Sequence, residues 1–410
     1  MIDEMGTAPR FEPIGAFKAA VESHNPHALR QALTSSDAAR RAINEPLFSF
    51  DSPALVAAAR NADIVEVLLE FGADPNKKSD WWAGGFHPLY NASPASAKKL
   101  LGAGAKPDTC AAAKLDDRAL LTSMIAANPQ CVHERGGDGQ TPLHFAQSRD
   151  AIDMLLAAGA DINARCVDHR SSAAEWMLGE RTELARYLVE RGAYADIFMA
   201  CALGLGERVT SLVANDAALL SQRTTHGAYG EKPPSSYHIY MWTIGASMTP
   251  FQVASKFAQR GAIDALRPFA TTQQRLLLAC NAGDKREARD IVAANPGLMA
   301  SLDADSRGAL ADAAWHSNAR AVELMLELGF DPAAPGCAGA SALHCAAWEG
   351  SVECVRALLE HPKGRALLTA RDATYGGTPL NWCDHRVAHV PIGPNGDHAA
   401  VRALLVAANT

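Results

Sequence analysis

The sequence predicts an all-α solenoid of about twelve partly degenerate helix pairs, with a non-repeat insertion near residues 221–248. Two observations lead to this fold class. Glycines follow helix-like apolar segments at a repeat spacing, since Gly159 and Gly192 are 33 residues apart. A Thr-Pro-Leu-His string at 141–144 opens a short helix, and weaker versions of it recur along the chain. Hydrophobic residues make up 48% of the sequence, which is enough to bury a core along such an array.

Helix-ending residues mark the boundaries of the predicted helix pairs. Glycine suits the end of a second helix because it adopts the left-handed exit without strain. Asn-Pro replaces it at 128–129 and 295–296, where proline stops the helix. In the units that begin at His87 and Thr141 the repeat is about three residues short, so we expect a clipped first helix. The predicted pairs lie at roughly 16–33, 52–71, 87–103, 109–127, 141–158, 172–191, 197–214, 249–267, 273–294, 308–328, 341–360 and 378–406.

The segment 221–248 breaks the repeat. Its aromatic residues Tyr237, Tyr240 and Trp242 nearly alternate, which predicts a short strand or hairpin. A long loop inside a repeat array is usually functional or disordered, and this one is too aromatic for a plain linker. We therefore expect three parts, namely an N-terminal array at 1–220, an aromatic insertion at 221–248 and a C-terminal array at 249–410.

Composition excludes several classes of partner. The net charge of −7 argues against nucleic acid, which favours a basic face. No run of about 18 apolar residues is present and the N-terminal segment lacks a secretory signal, so no membrane partner is expected. The nine cysteines form no CxxC pair, which favours reduced thiols in the cytoplasm.

Familiar catalytic and metal motifs are missing from the sequence. The GGDG string at 136–139 is followed by no Lys-Ser/Thr, so it is not a phosphate loop. GxSxG and HExxH are absent, and no Cys/His set has zinc spacing. The Cys-Asp-His string at 383–385 is only a weak metal signal. We expect no cofactor and no metal ligand.

The string DGQTPLHFAQSRDAIDMLLAAGADIN at 138–163 resembles the ankyrin repeat. The resemblance implies that residues before Thr-Pro lie on finger-like turns, and that the pair after Ala-Ala lies on the inner face of the first helix. Both sets would line one concave surface. It also implies that His144 and His344 form hydrogen bonds between neighbouring loops.

Those positions hold carboxylates, imidazoles and large aromatics. We expect the 237–242 run to cover the surface as a lid or wall. The candidate ligand-binding residues are Asp138, Gln140, Tyr240, Trp242, Trp315, His316, Trp348, Glu349, Tyr375 and His385. Simpler interpretations stay open, because the tryptophans can pad adjacent helices, Trp81-Trp82 can pack over a clipped repeat, and Asp168 can cap a turn.

Two functions follow from these residues. The first is a binding protein that holds a protein segment or a polar small molecule in the concave face and finger loops. The alternative is a cofactor-independent lyase, hydrolase or isomerase acting on a polar, possibly sugar-like substrate. In that case Asp168 and Glu175 are the acid/base candidates and His169 assists them. Glu175 replaces the repeat histidine, so it can instead make the same loop bonds.

Several strings are similar to those of a group of bacterial ankyrin-repeat proteins. They are SDWWAGGF, RGGDGQTPLHFA, VDHRSSAAEWM, IYMWTIG, SALHCAAWEG and YGGTPLNW. The chain departs from the group where SALHC replaces the common TPLHW. The resemblance implies the fold and a bacterial cytosol, and it carries over no activity.

Overall fold

The helices fall into two packing units. Unit 1 comprises residues 1–194 with 227–239, and unit 2 comprises 195–226 with 240–410. Extended structure among the described residues is limited to two isolated bridges, Phe48 with Ser52 and Arg165 with Ser172. The fold is the all-α repeat solenoid that the sequence predicts. The computed structural model describes residues 12–224, 239–336, 339–389 and 396–409.

Unit 1 contains the first six predicted helix pairs. In its third pair a 3₁₀ turn, Pro88–Tyr90, replaces the first helix. The helices of unit 1 are α1 (Glu12–Glu22), α2 (Pro26–Ser35), α3 (Asp37–Arg41), α4 (Ala54–Ala57), α5 (Ala62–Glu70), α6 (Pro94–Gly102), α7 (Thr109–Lys114), α8 (Arg118–Ala127), α9 (Pro142–Phe145), α10 (Arg149–Ala157), α11 (Ala173–Met177) and α12 (Thr182–Glu190).

Unit 2 contains the other six predicted pairs together with short connecting helices. The first helices of its pairs form an inner layer in which α21 packs on α23 and α23 on α26. The helices of unit 2 are α13 (Ile197–Leu203), α14 (Gly206–Asn215), α15 (Tyr240–Thr243), α16 (Pro250–Lys256), α17 (Arg260–Leu266), α18 (Thr272–Ala282), α19 (Lys285–Ala294), α20 (Ala304–Arg307), α21 (Ala309–Trp315), α22 (Ala319–Glu327), α23 (Ala342–Glu349), α24 (Val352–Glu360), α25 (Pro362–Arg365), α26 (Pro379–His389) and α27 (His398–Ala408).

The helix-ending residues act as predicted. Gly72 and Gly159 follow second helices with φ of +87° and +94°, a conformation that costs other residues strain. At Asn128 the chain turns to extended backbone and Pro129 opens a 3₁₀ turn, so the helix stops. The clipped first helices are confirmed, since α9 has four residues and Pro88–Tyr90 only three.

Small residues let the first helices approach one another closely. In unit 2, Ala313 and Ala314 on α21 and Ala346 and Ala347 on α23 are buried. Larger aliphatic residues fill the space between the two helices of a pair, as Leu155 does on α10 with 0% exposure. This division of small and large side chains keeps the spacing between neighbouring pairs uniform.

The prediction of a strand in the insertion is wrong for the C-terminal part that the structure describes, because Tyr240–Thr243 forms the short helix α15. Burial of Tyr240 explains the difference, since its ring packs 5.7 Å from Phe198 and its hydroxyl donates to Asp196 at 2.8 Å. The base of the insertion is closed by Thr224, whose hydroxyl donates to the Gly245 carbonyl at 2.6 Å. Tyr237 lies outside the described residues.

Two further features concern the whole described chain. All eight described cysteines are buried. Among the described residues, no helix is long and apolar enough to cross a membrane.

Candidate functional site

The finger loops of unit 1 pack directly on one another and form what we call the finger row, residues 48–52, 79–86, 136–140 and 165–172. A Cβ on Gly84 would lie 2.3 Å from the Gly136 carbonyl oxygen, and one on Gly139 would lie 2.2 Å from a Val167 methyl. Because only glycine fits these contacts, the AGG and GGDG strings are explained by loop packing. The phenylalanine ring of Phe50 lies against Trp81, with centroids 5.1 Å apart.

Three of the predicted finger residues meet within this row. Asp138, Asp168 and His169 each offer one ligand-type atom, and these atoms all lie within 4.8 Å of one another. We call them the Asp-Asp-His cluster. The side chains of Asp168 and His169 are 7% and 11% exposed, and Asp138 is 6% exposed, so the cluster is nearly withdrawn from solvent.

Backbone and indole hydrogen bonds position the cluster. Asp138 adopts φ +56° in the turn before Gln140, and its carbonyl accepts hydrogen bonds from the backbone N–H groups of Val167 and Asp168. Its carboxylate Oδ1 accepts a hydrogen bond from Trp81 Nε1 at 3.0 Å. Burial and then the Asp168 carboxylate raise the pKa of Asp138 to about 6, and the Trp81 hydrogen bond opposes them.

Two other predicted residues of unit 1 have structural roles. The Glu175 carboxylate accepts a hydrogen bond from the Ser172 N–H at 2.5 Å, while the Ser172 hydroxyl accepts one from the Glu175 N–H. This reciprocal pair is a capping box at the start of α11. Gln140 is buried, and its backbone pairs with Gly136 and Gly137.

The histidines of the two repeat strings connect neighbouring loops, as the resemblance implies. His144 Nε2 lies 3.0 Å from the Ser171 carbonyl oxygen, and His344 Nε2 lies 3.0 Å from the Gly377 carbonyl oxygen. The interpretation of these histidines as structural is confirmed.

In unit 2, a continuous aromatic row on α21, α23, α26 and the loop before α26 is formed by the predicted Trp315, Trp348, Tyr375 and His385 together with Trp382. The Trp315 and Trp348 rings stack at 6.4 Å and 11°, and Trp348 stacks on His385 at 6.2 Å and 22°. Trp382 meets Trp348 edge-on at 5.6 Å, and Tyr375 meets Trp382 at 6.1 Å. We call these five residues the aromatic row. It combines the half-buried Trp315 and Trp348 and the buried Trp382 with a Tyr375 side chain that is 76% exposed.

Charged side chains border the aromatic row. The Arg386 guanidinium lies over the Trp348 ring, 5.4 Å from its centroid, and among described residues its Nε has no hydrogen-bond partner. Burial raises the pKa of Glu349. The positive charges of Arg386 and its neighbours act in the opposite direction and partly offset this rise. Burial, followed by the charges of Lys256 and Arg223, lowers the pKa of His316 to about 3. His316 is therefore neutral at physiological pH.

The two predicted residues of the insertion differ in exposure. Tyr240 is fully buried, so the structure places it in the packing of unit 2, away from any open surface. Trp242 on the same short helix is 57% exposed. The predicted lid run therefore contributes at least one core residue, and Tyr240 is unsuited to direct ligand contact.

Two cavities of unit 2 are lined by residues outside the aromatic row. A cavity of about 130 Å³ adjoins the described base of the insertion and is lined by Arg223, Gln252 and Asp312 among others. It is smaller than the pockets of about 300–1,000 Å³ that hold small molecules. An open depression of about 560 Å³ lined by Arg267, Arg275 and neighbouring residues contains no predicted site residue.

Sequence reasoning missed three residues of these sites. Trp81 was assigned to packing, yet its indole bonds the Asp138 carboxylate. Trp382 was not identified, and Arg386 was placed beside His385 on the inner helix face but was not named among the candidate ligand-binding residues. The signal for Trp382 was its position on the first helix of the last pair, between Tyr375 and His385.

Comparisons with known proteins match parts of both units. A family model described as ankyrin repeats (3 copies) matches residues 276–372, and an ankyrin repeat model matches residues 51–80 and 138–167. Among solved structures, the human ASB11 ankyrin repeat domain is 17% identical over 74% of this chain and 98% of that chain, with a TM-score of 0.27. No curated protein matches the chain.

Proposed function

Because the chain contains ankyrin repeats, which serve as interaction scaffolds, we propose that it binds a protein segment along the aromatic row of unit 2. The main support for this proposal is the stack of Trp315, Trp348 and His385, which takes one ring from each of three successive first helices. Aromatic residues and arginine dominate the binding energy of protein interfaces, and both occur here on one surface.

The chemistry of the row favours a particular partner. An aromatic or long aliphatic anchor suits the ring faces of Trp315 and Trp348, because aromatic stacking adds to the burial of apolar area. A carboxylate suits Arg386, whose planar donors can bind it in a bidentate manner. His385 and His389, whose rings lie 4.5 Å apart, extend the same edge. We therefore propose a segment that carries an apolar anchor next to an acidic residue.

A protein segment accounts for the row better than an enclosed small molecule does. The edge formed by Tyr375 and His385 is exposed, which suits an extended contact surface. The cavity of about 130 Å³ beside the base of the insertion is small for a ligand pocket. The enzyme alternative assigned the acid/base roles to Asp168 and Glu175 with His169 assisting, and the Glu175 carboxylate is engaged in a helix cap.

The test uses peptides selected from a displayed library against the full chain, with affinities measured by calorimetry. Trp348→Ala and Arg386→Gln are each expected to weaken a selected peptide about 30-fold, the effect of losing a hot-spot residue. Trp82→Ala, which removes a 66% exposed tryptophan of unit 1, and Arg286→Gln, which removes a 93% exposed arginine side chain, are the matched controls.

The affinities of these variants distinguish binding at the aromatic row from binding at the finger row. Because Trp348 packs on other rings and its loss could disturb folding, Tyr375→Ala provides a second probe at an exposed position. Retained affinity in the Trp348, Arg386 and Tyr375 variants contradicts the proposal. Loss of affinity in the Trp82 variant alone would move the binding surface to the finger row.

A further inference from the structure

We propose that the Asp-Asp-His cluster of the finger row binds one divalent transition-metal ion. The ligands are a carboxylate oxygen from each of Asp138 and Asp168 and a ring nitrogen of His169. This site lies in unit 1, and it is independent of the segment binding proposed for unit 2.

The spacing of the three donors fits a single ion. Their ligand atoms lie within 4.8 Å of one another, and Asp168 Oδ2 lies 3.6 Å from His169 Nδ1. With metal–ligand bonds of about 2.0–2.2 Å, two ligands of one ion are separated by roughly 3–4.4 Å, so side-chain shifts of at most a few tenths of an ångström bring all three donors within reach of one ion. A separation of 3.6 Å is too long for a hydrogen bond between the two groups, and it is suitable for two ligands of one ion.

The donor types select the class of ion. An imidazole nitrogen suits zinc, iron and similar ions, whereas carboxylate oxygens also suit manganese. Calcium and magnesium prefer shells made only of oxygen. The mixed set of one nitrogen and two oxygens therefore favours Zn²⁺, Mn²⁺ or Fe²⁺ over Ca²⁺ and Mg²⁺.

Neighbouring groups hold the donors in place as outer partners of a metal site do. Trp81 Nε1 donates to Oδ1 of Asp138, which fixes the orientation of the carboxylate. The His169 ring meets Trp176 edge-on at 5.1 Å. The Asp138 carbonyl binds the N–H of Asp168, so the two loops that supply the carboxylates cannot separate easily.

Charge also favours a cation here. Two carboxylates held close together in a nearly buried position repel one another, and a divalent ion relieves that repulsion. The exposed side chains of Trp82 and Val167 place the row at the protein surface, so an ion can reach it from solvent. Bound there, the ion would connect the loop at 136–140 to the loop at 165–172.

The test titrates the full chain, stripped with a chelator, with Zn²⁺ and Mn²⁺ in a calorimeter, and with Ca²⁺ and Mg²⁺ as comparison ions. We expect one site per chain for the transition metals. Asp138→Asn and His169→Gln should each weaken binding at least 100-fold, and Trp81→Phe, which keeps the ring but removes the indole donor, about 10-fold. Co²⁺ bound to the unaltered chain should give a visible spectrum typical of nitrogen and oxygen ligands.

A competing site is controlled directly. His385 and His389 are one helical turn apart on α26 and could bind zinc by themselves. His385→Gln should therefore leave the stoichiometry and affinity unchanged. The proposal is overturned if the stripped chain binds none of the transition metals, if binding survives in the Asp138 and His169 variants, or if it is lost only with His385. Where a cluster variant fails to fold, Trp81→Phe and His385→Gln decide the matter, because only the first should weaken binding.

Discussion

At the scale of single residues, hydrogen-bonding partners distinguish structural polar groups from candidate functional ones. His144 accepts a hydrogen bond at Nδ1 from the Thr141 N–H and reaches the Ser171 carbonyl through Nε2, so both ring nitrogens are used. Burial, with Arg135 and Arg181 adding to it, lowers the pKa of His144 to about 4. This histidine is therefore uncharged near neutral pH, and its hydrogen bonds connect the two loops.

The low pKa of His144 predicts a pH dependence of stability. The unfolded chain binds a proton at His144 below about pH 6.5, whereas the folded chain does so only near pH 4. Stability is therefore full above about pH 6.5 and falls as the pH drops toward 4, by about 2 kcal/mol between pH 7 and pH 5. Urea unfolding at the two pH values, in the native chain and in His144→Gln, measures this contribution. An equal difference in both chains, or a His144 ring that titrates near pH 6.5 by NMR, would contradict it.

At the scale of helices and loops, the twelve pairs were predictable because glycine spacing and apolar periodicity are local signals. Asp138, Asp168 and His169 could be named one by one from their finger positions. Their meeting with Trp81 could not be predicted, since Trp81 and Asp138 are 57 residues apart and the WWAGGF loop packs directly on the GGDG loop. The near-alternating aromatic residues around Tyr240 predicted a strand. This was wrong because burial of Tyr240 against Phe198 stabilises a short helix instead.

The helix pair α9–α10 provides a test of how the array is coupled. Leu155 is fully buried on α10, so Leu155→Ala should destabilise the chain by about 2–5 kcal/mol. Leu101→Ala is the matched control, because Leu101 is 42% exposed and its loss should cost only about 0.5 kcal/mol. Since α10 packs on α8 and α12, hydrogen exchange should rise in those helices first. A uniform rise along the chain, or equal costs for the two variants, would count against this coupling.

At the scale of the whole molecule, the two packing units carry different chemistry. Unit 1 presents stacked finger loops with a nearly buried Asp-Asp-His cluster, and unit 2 presents an aromatic row bordered by arginine and histidine. A repeat array permits this arrangement because each repeat depends mainly on its neighbours, so separate surfaces can acquire separate roles.

Binding of a protein segment at the aromatic row of unit 2 should slow backbone exchange at the contact. Hydrogen exchange of the full chain, with and without a saturating selected peptide, tests it most directly because it locates the contact without any substitution. We expect slower exchange in α21, α23 and α26 and in the loop around Tyr375, with the finger row of unit 1 unchanged. Protection confined to the finger row, or to the outer helices α19, α22 and α24, would show that the segment does not bind at the aromatic row.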